Sequence, residues 1–238
     1  MEFKLNKYLN LTRKLLFPDA CCVCHSEHTG DIGICLTCLN SLPHRQTCCP
    51  ICAGTSETGD PCGSCLKQSP GYDSTVCLFD YVYPIDQLIH QLKFRAKLPL
   101  ARIFGGMMAA TLENMAPEQK PQVLLPVPLH HWRLRRRGFN QTQELAKFIS
   151  AKTDIPVLSD AVRRSLNSPP QHSLPRNKRI RNLRNAFATT QPLPYKRIAL
   201  VDDVMTTGAT LEALARLVRK SGPEHVQNLV IARVCQNT

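Results

Sequence analysis

A chain of 238 residues, 43% hydrophobic and 20% charged, is long enough for one full-sized domain plus a small module, and too apolar to be disordered. Its formal charge of +12 sits in one stretch: residues 125–200 hold 15 Lys/Arg against 3 Asp/Glu, and the remainder is neutral. That asymmetry points to a basic face for a polyanion, with a merely solvated surface as the alternative; no run approaches the roughly 18–20 apolar residues of a membrane span.

Residues 1–19 carry Phe3, Leu5, Tyr8, Leu9, Leu11, Leu15 and Leu16 at helical spacing. They suggest an amphipathic helix that packs on protein, a pattern also compatible with peripheral association with the inner membrane. The stretch lacks the uninterrupted apolar core and small-residue cleavage site of an export signal, so a cytoplasmic location is expected. In that compartment twelve cysteines are more naturally metal ligands than disulfides.

Residues 20–70 form the expected cysteine-rich module. Four C-x-x-C pairs follow one another: Cys21/Cys24, Cys35/Cys38, Cys49/Cys52 and Cys62/Cys65. Each pair aims two thiolates at one point, and two pairs complete a tetrahedral zinc site. Sequential pairing gives two zinc ribbons in tandem; pairing first with third and second with fourth is the cross-braced alternative. Cys22 and Cys48 adjoin true knuckles and either substitute for a ligand or stand idle. His25 and His28 are poorer candidates beside a complete cysteine set. A zinc with four protein ligands is structural, so the two Zn2+ ions expected here hold the fold and do no chemistry. Cys77 and Cys235 lie in apolar stretches and are expected to be free core cysteines.

The main domain is expected over 71–238. "TVCLFDYVYP" is predicted as a strand. Pro84 opens a helix with Ile85, Leu88, Ile89 and Leu92 on one face and His90 on the solvated side. A second helix is predicted from Leu100 to Met115, a short strand in "QVLLPVPL", and a helix in "NQTQELAKFIS". "IPVLSDAVRR" and "KRIALVDD" are predicted strands. The next helix has Leu211, Leu214, Ala215 and Val218 on its apolar face, Lys220 in its last turn, and Gly222 and Pro223 beyond. "HVQNLVIARV" is the last strand. Strands alternating with helices predict an α/β fold, a mostly parallel sheet covered on both faces, with ligands at the carboxyl ends of the strands.

"RIALVDDVMTTGAT" then carries the chemistry. A buried strand ends in Asp202 and Asp203, and a turn with Thr206, Thr207, Gly208 and Thr210 leads into a helix. Free N–H groups at a helix start, hydroxyls and a glycine suit a phosphate. Two carboxylates beside them accept hydrogen bonds from sugar hydroxyls or hold a cation. A ligand with a sugar diol and a phosphate meets both demands. Neither a G-x-x-x-x-G-K-[ST] nor a G-x-G-x-x-G motif is present, which disfavours P-loop and dinucleotide-binding readings.

"IALVDDVMTTGAT" resembles the phosphoribosyl pyrophosphate (PRPP) fingerprint of type I phosphoribosyltransferases. Together with the four cysteine pairs, "PVPLHHWRLRRRGFNQTQELA" and "SPPQHSLPRNKRIRNLRNAF", the chain resembles the ComF family of competence-associated proteins over nearly its whole length. The resemblance implies a type I phosphoribosyltransferase-like domain behind a zinc-ribbon module. It places the ribose of PRPP on Asp202 and Asp203, and its 5′-phosphate on the loop of Val204, Met205, Thr206, Thr207, Gly208, Ala209 and Thr210. It also implies a pyrophosphate loop around Val127, Pro128 and Leu129, although prolines replace the small, glycine-bearing loops of many catalysts. Arg163 and Arg164 would reach the pyrophosphate, Mg2+ would accompany PRPP, and Asn167–Arg184 would occupy the place of a closing loop. No catalytic residue is named.

"HHWRLRRRGFNQ" sets Arg133, Arg135, Arg136 and Arg137 beside Trp132 and Phe139. Arginines with aromatics suit single-stranded nucleic acid, since charge follows the backbone and rings stack on bases. The same arginines could bind pyrophosphate, or form a solvated stretch with Trp132 in the core. Arg176, Lys178, Arg179, Arg181 and Arg184 extend the basic field. Three functions stay open: a PRPP-binding protein of DNA uptake holding single-stranded DNA, an active phosphoribosyltransferase of nucleotide synthesis or salvage, and an adaptor whose ribbons dock a helicase or other DNA-processing protein.

Overall fold

The computed structural model describes residues 20–27, 33–164 and 186–234. The helix expected over 1–19, His28, Cys235 and the basic loop with Arg176, Lys178, Arg179, Arg181 and Arg184 lie outside the described residues. Contacts divide the chain into two compact units, one ending at Leu42 and the other beginning at Pro43.

The first unit is a knuckle followed by helix α1 (Leu36–Ser41). Cys35 caps α1, its Sγ accepting from the Cys38 N–H. The second unit opens with the same construction: a knuckle at Cys49 and Cys52, then helix α2 (Gly63–Lys67) after Cys62.

The rest of the second unit is an α/β body. Its sheet joins β1 (Ser74–Asp80), β6 (His225–Arg233), β5 (Arg197–Met205) and β2 (Val123–Pro126) in that order, all parallel. Parallel strands need crossovers, and helices supply them. Between β1 and β2 run α3 (Ile85–Phe94) and α4 (Leu98–Glu113); α5 (His131–Arg137) and α6 (Gln141–Thr153) follow β2; α7 (Ala209–Arg219) joins β5 to β6. The predicted face of α3 is the buried one. Helix α4 starts two residues earlier than expected because Pro99 is accommodated in its first turn, where no N–H is needed.

Helices cover both faces of the sheet. Leu211, Leu214, Ala215 and Val218 of α7 pack on Ile198, Leu200, Val226 and Val230. Each leucine, isoleucine or valine buried this way contributes about 1.5–3 kcal/mol as an upper estimate. Helices α4 and α6 lie together on the other face. They approach so closely that a Cβ at Gly105 of α4 would sit 2.7 Å from the Phe148 Cβ.

One expected strand is mostly absent. Of "IPVLSDAVRR", Val157 makes a single parallel bridge to Leu124, and only β3 (Val162–Arg164) is a strand. It pairs antiparallel with β4 (Phe187–Thr189) in a separate two-stranded sheet. The polar Ser159–Asp160 bend turns the chain off the edge of β2 after that one bridge.

Strand β1 would otherwise be a bare edge. The second ribbon covers it: Asp80 N–H donates to Pro43 O at 2.9 Å, Arg45 N–H to Leu78 O at 2.9 Å and Thr75 N–H to Pro50 O at 3.0 Å. The Thr75 hydroxyl also donates to Ile51 O at 2.6 Å and accepts from buried Asn228 at 3.0 Å.

Candidate functional site

The cysteines resolve into two sets. Sγ atoms of Cys21, Cys24, Cys35 and Cys38 lie within 4.8 Å of one another, as do those of Cys49, Cys52, Cys62 and Cys65. Pairing is therefore sequential, and Cys22 and Cys48 stand outside both sets. The two sites repeat one geometry. The residue after each first knuckle, His25 or Ala53, has positive φ and donates its N–H to the carbonyl of Cys21 or Cys49. The N–H of Cys35 donates to Cys21 Sγ at 3.4 Å, and that of Cys62 to Cys49 Sγ at 3.3 Å. Four thiols this close cannot all ionise unaided. Hydrogen bonding to Ser26 lowers the Cys24 pKa to about 6, while burial and neighbouring sulfurs push Cys38 up to about 12. A tetrahedral dication removes that conflict, and an all-thiolate set of four is what structural zinc takes.

The acid pair lies near the carboxyl end of the parallel sheet. Strand β5 runs to Met205, two residues past the acids, whereas β2 stops at Pro126 opposite Val201. Beyond Val201 the β2 side of β5 is unpaired, and the Asp203 N–H there is taken by the Asp202 carboxylate at 2.9 Å. Successive side chains on a strand face opposite ways. Asp203 turns inward, 4% exposed, onto Lys93 Nζ at 2.7 Å and Gln141 Nε2 at 2.6 Å. Asp202 keeps partial exposure on the other side. Desolvation, and then the charge of Asp203, raise its pKa to about 7; Lys93 and Arg164 act against that rise.

The turn after β5 is tightly determined. Gly208 has φ +77° and is the N-cap of α7. A Cβ there would come within 2.7 Å of Met205 Cε and 3.4 Å of the Tyr72 hydroxyl, so glycine is required by both backbone and space. Thr206 and Thr207 are exposed, Ala209 and Thr210 partly so, and Val204 is partly buried beside buried Met205. Arg233, at the end of β6, donates to the carbonyl of Thr206 and to that of Met205 at 3.3 Å, fixing the turn from below. The first N–H of α7, that of Ala209, donates to Thr207 Oγ1 at 3.4 Å, and the exposed hydroxyls of Thr206 and Thr207 flank this partly exposed helix start, an arrangement that favours an anion.

Val127, Pro128 and Leu129 connect β2 to α5. Val127 is buried, its N–H donating to Val201 O and its carbonyl accepting from Asn140 Nδ2 at 3.3 Å and Thr142 Oγ1 at 2.8 Å. Pro128 has no N–H. Leu129 is left as the one residue of the three with an N–H outside the sheet, so positive charge near this loop has to come from side chains.

Those side chains are close by. Arg164 is half-buried, its Nε has no hydrogen-bond partner among the described residues, and its guanidinium lies 5.5 Å over the Phe187 ring. Burial and then Arg133 lower its pKa, and Asp202 raises it, so a second arginine and the partly exposed acid both act on its charge. Arg163 points to solvent. Helix α5, which ends at Gly138 with φ +77°, exposes Trp132, Arg133, Arg135 and Arg136. Trp132 is 59% exposed, which removes the reading that buries it in the core. Arg136 lies 5.6 Å over the Trp132 ring. Phe139 is half-buried, and Arg137 turns inward over Phe94 at 4.8 Å.

Sequence reasoning missed Lys93, Gln141 and Arg233. Each belongs to an element that was recognised, but nothing local distinguishes a lysine at a helix end or an arginine at a strand end from a solvated one.

Comparison with known proteins agrees with this architecture. A family model for the double zinc ribbon domain matches residues 12–66, and one for the phosphoribosyl transferase domain matches residues 135–237. Competence protein F of Haemophilus influenzae is 33% identical over 224 residues, covering 91% of this chain and 98% of that protein. DNA utilization protein YhgH of Escherichia coli K12 is also 33% identical, covering 92% and 99%. Competence protein ComFC of Bacillus subtilis is 24% identical, covering 85% and 89%. Among solved structures, adenine phosphoribosyltransferase of Leishmania tarentolae aligns at 12% identity with a TM-score of 0.38, over 70% of this chain and 93% of that one. With two four-cysteine sets joined to a parallel α/β body, and one-third identity across nearly the full length of such relatives, the chain belongs to the ComF family of double-zinc-ribbon, phosphoribosyltransferase-like proteins.

Proposed function

We propose that this protein binds PRPP at the carboxyl end of β5 and holds single-stranded DNA on the exposed face of α5, in the service of DNA uptake. The observation that carries the first half is the partly exposed Asp202 just before the α7 N-terminal turn, with Arg164 acting on its charge and Arg133 acting on Arg164. A carboxylate accepts the ribose hydroxyls, the turn takes the 5′-phosphate and the arginines face the diphosphate. Mg2+ fits as part of the ligand. With Asp203 already engaged, one open carboxylate plus phosphate oxygens is the usual company of Mg2+, which neutralises the diphosphate charge. Zinc in the two four-cysteine sets supports the fold.

The second half rests on the exposed Trp132–Arg136 stack with Arg133 and Arg135 beside it. The names of the relatives, competence and DNA utilization proteins, supply the setting. Among the described residues no helix is long and apolar enough to cross a membrane. Domain limits at residues 1–19, 20–70 and 71–238, and a cytoplasmic place of action, complete the proposal. The reading is one of binding, and no general base is assigned.

Calorimetry of PRPP with Mg2+ tests the first half: wild type gives a binding isotherm and Asp202→Asn loses it. No heat with wild type overturns the reading. Fluorescence anisotropy with an oligo-dT strand tests the second. Binding weakens as salt rises, with a slope of about −0.7 per phosphate contact, and Arg135→Ala/Arg136→Ala reduces both affinity and slope while Asp202→Asn changes neither. Unchanged affinity in the double arginine variant overturns the DNA half.

A further inference from the structure

Beneath the acid pair the structure closes a ring of contacts. Lys93 Nζ meets Asp203 Oδ1 at 2.7 Å. Gln141 Nε2 donates to Asp203 Oδ2 at 2.6 Å. Arg137 donates to Gln141 Oε1 at 3.0 Å, and its guanidinium covers the ring of Phe94 at 4.8 Å. Phe94 is the chain neighbour of Lys93, so the ring passes through α3, β5, α6 and α5 and returns to its start. Gln141 is 3% exposed, with a carboxylate on one side and a guanidinium on the other. Only one amide orientation satisfies both, so the side chain is locked.

We propose that Lys93 and Gln141 are positioning residues that commit Asp203 to the scaffold, leaving Asp202 as the one carboxylate of the pair presented to the ribose. This rests on the PRPP reading above and deepens it by giving the adjacent acids different tasks. Both Asp203 oxygens are engaged, and the residue is almost fully buried. Taking it out of this network to meet a ligand would leave a lysine and a glutamine without their partner. Asp202 has no comparable anchor; its carboxylate accepts from the neighbouring Asp203 N–H, a contact within its own strand.

The arrangement also answers an electrostatic difficulty. Two adjacent carboxylates repel an anionic ligand, and the low dielectric of a buried site strengthens that repulsion. Lys93, itself only 20% exposed, neutralises Asp203 in direct contact. The incoming phosphates then meet the charge of Asp202 alone, with Arg164 acting on it. Arg137 ties helix α5 to the same ring, so the helix that carries the exposed arginines is held against the acid pair by a hydrogen bond and a cation–π contact.

The test is calorimetry of PRPP with Mg2+ on full-length Lys93→Met, Lys93→Arg, Asp203→Asn, Asp202→Asn and Lys93→Met/Asp203→Asn, with thermal melting of each. Lys93→Met is expected to weaken PRPP about tenfold or more, and Lys93→Arg to stay within about threefold of wild type. Adding Lys93→Met to Asp203→Asn should cost clearly less than Lys93→Met costs the wild type, because the charge the lysine touches directly is already removed and only its weaker effect on Asp202 remains. Asp202→Asn should lose far more affinity than Asp203→Asn. A purely structural ion pair would lower melting temperatures without moving affinity, and that result overturns the proposal. So does an equal loss in the two Asp→Asn variants, a comparison that stands even if Lys93→Met fails to fold. If wild type binds no PRPP, the PRPP reading itself fails, which is a distinguishable outcome.

Discussion

The two ribbons are built alike and placed differently. Both use a knuckle, a positive-φ residue behind it, an N–H to sulfur bond between pairs, and a short helix carrying the last cysteine. Yet the first belongs to a compact unit ending at Leu42, while the second shares its unit with the α/β body. Ile51 and Cys52 pack against the body's core cluster, which includes Tyr72 and Met205. Carbonyls of Pro43, Pro50 and Ile51 satisfy donors along β1. Cysteine spacing fixes the local geometry, but the surroundings decide what a zinc site supports.

The largest effect should come from breaking one ribbon at a time. Cys49→Ser/Cys52→Ser and Cys21→Ser/Cys24→Ser should each lower bound zinc from two ions to one, read by metal analysis. Only the former should abolish the cooperative melting of the α/β body. Structural zinc in small peptides contributes on the order of 10 kcal/mol, enough to decide whether β1 keeps its cover. Equal melting of the body in the two variants would remove the distinction between the ribbons.

Cutting the second ribbon's attachment without touching its metal is a milder test. Thr75→Val leaves the Ile51 carbonyl and the Asn228 amide without their shared hydroxyl. Chemical denaturation should show a loss of about 1–3 kcal/mol with zinc content unchanged.

A charge in the same unit gives a smaller effect of opposite sign. Asp202 has its pKa raised to about 7 in the folded protein. Its contribution to stability is therefore full below the ordinary carboxylate range and lost as pH rises through about 7, because ionisation is disfavoured in the folded state. Between pH 5 and pH 8 the wild-type body should lose melting temperature relative to Asp202→Asn, ending about 2–4 °C lower. Melting curves across that window check it, and a parallel response in the two proteins would show that the acid is not strained by its surroundings. The smallest effect is expected at Leu36 and Leu66, one in each ribbon helix and 74% and 71% exposed. Serine at either should change stability by less than about 0.5 kcal/mol, measured by thermal melting.

Much of the fold was legible in the sequence. The apolar faces of α3 and α7 appear as expected because helical periodicity is a local property that burial then exploits. "IPVLSDAVRR" misled because its apolar start satisfies a strand pattern, while the edge of β2 accepts only one bridge before the chain turns away. In "HHWRLRRRGFNQ" the residue types suggested an anion or nucleic-acid surface, but not that Arg137 turns inward while Arg135 and Arg136 remain outside.

The sequence by itself determined the chemical sets: eight knuckle cysteines, an acid pair on a strand, and a threonine–glycine turn into a helix. Each is defined by spacings of a few residues, over which backbone geometry is predictable. Only the tertiary structure decided that the knuckles pair in sequence, that one ribbon shares a unit with the sheet, and that Asp203 is engaged while Asp202 keeps partial exposure. Those outcomes depend on partners distant along the chain, Lys93 and Gln141 for Asp203 and Thr75 for Ile51, which folding brings within hydrogen-bond distance. The doubled charge is written in the sequence, but its division of labour arises where helix α3 meets strand β5.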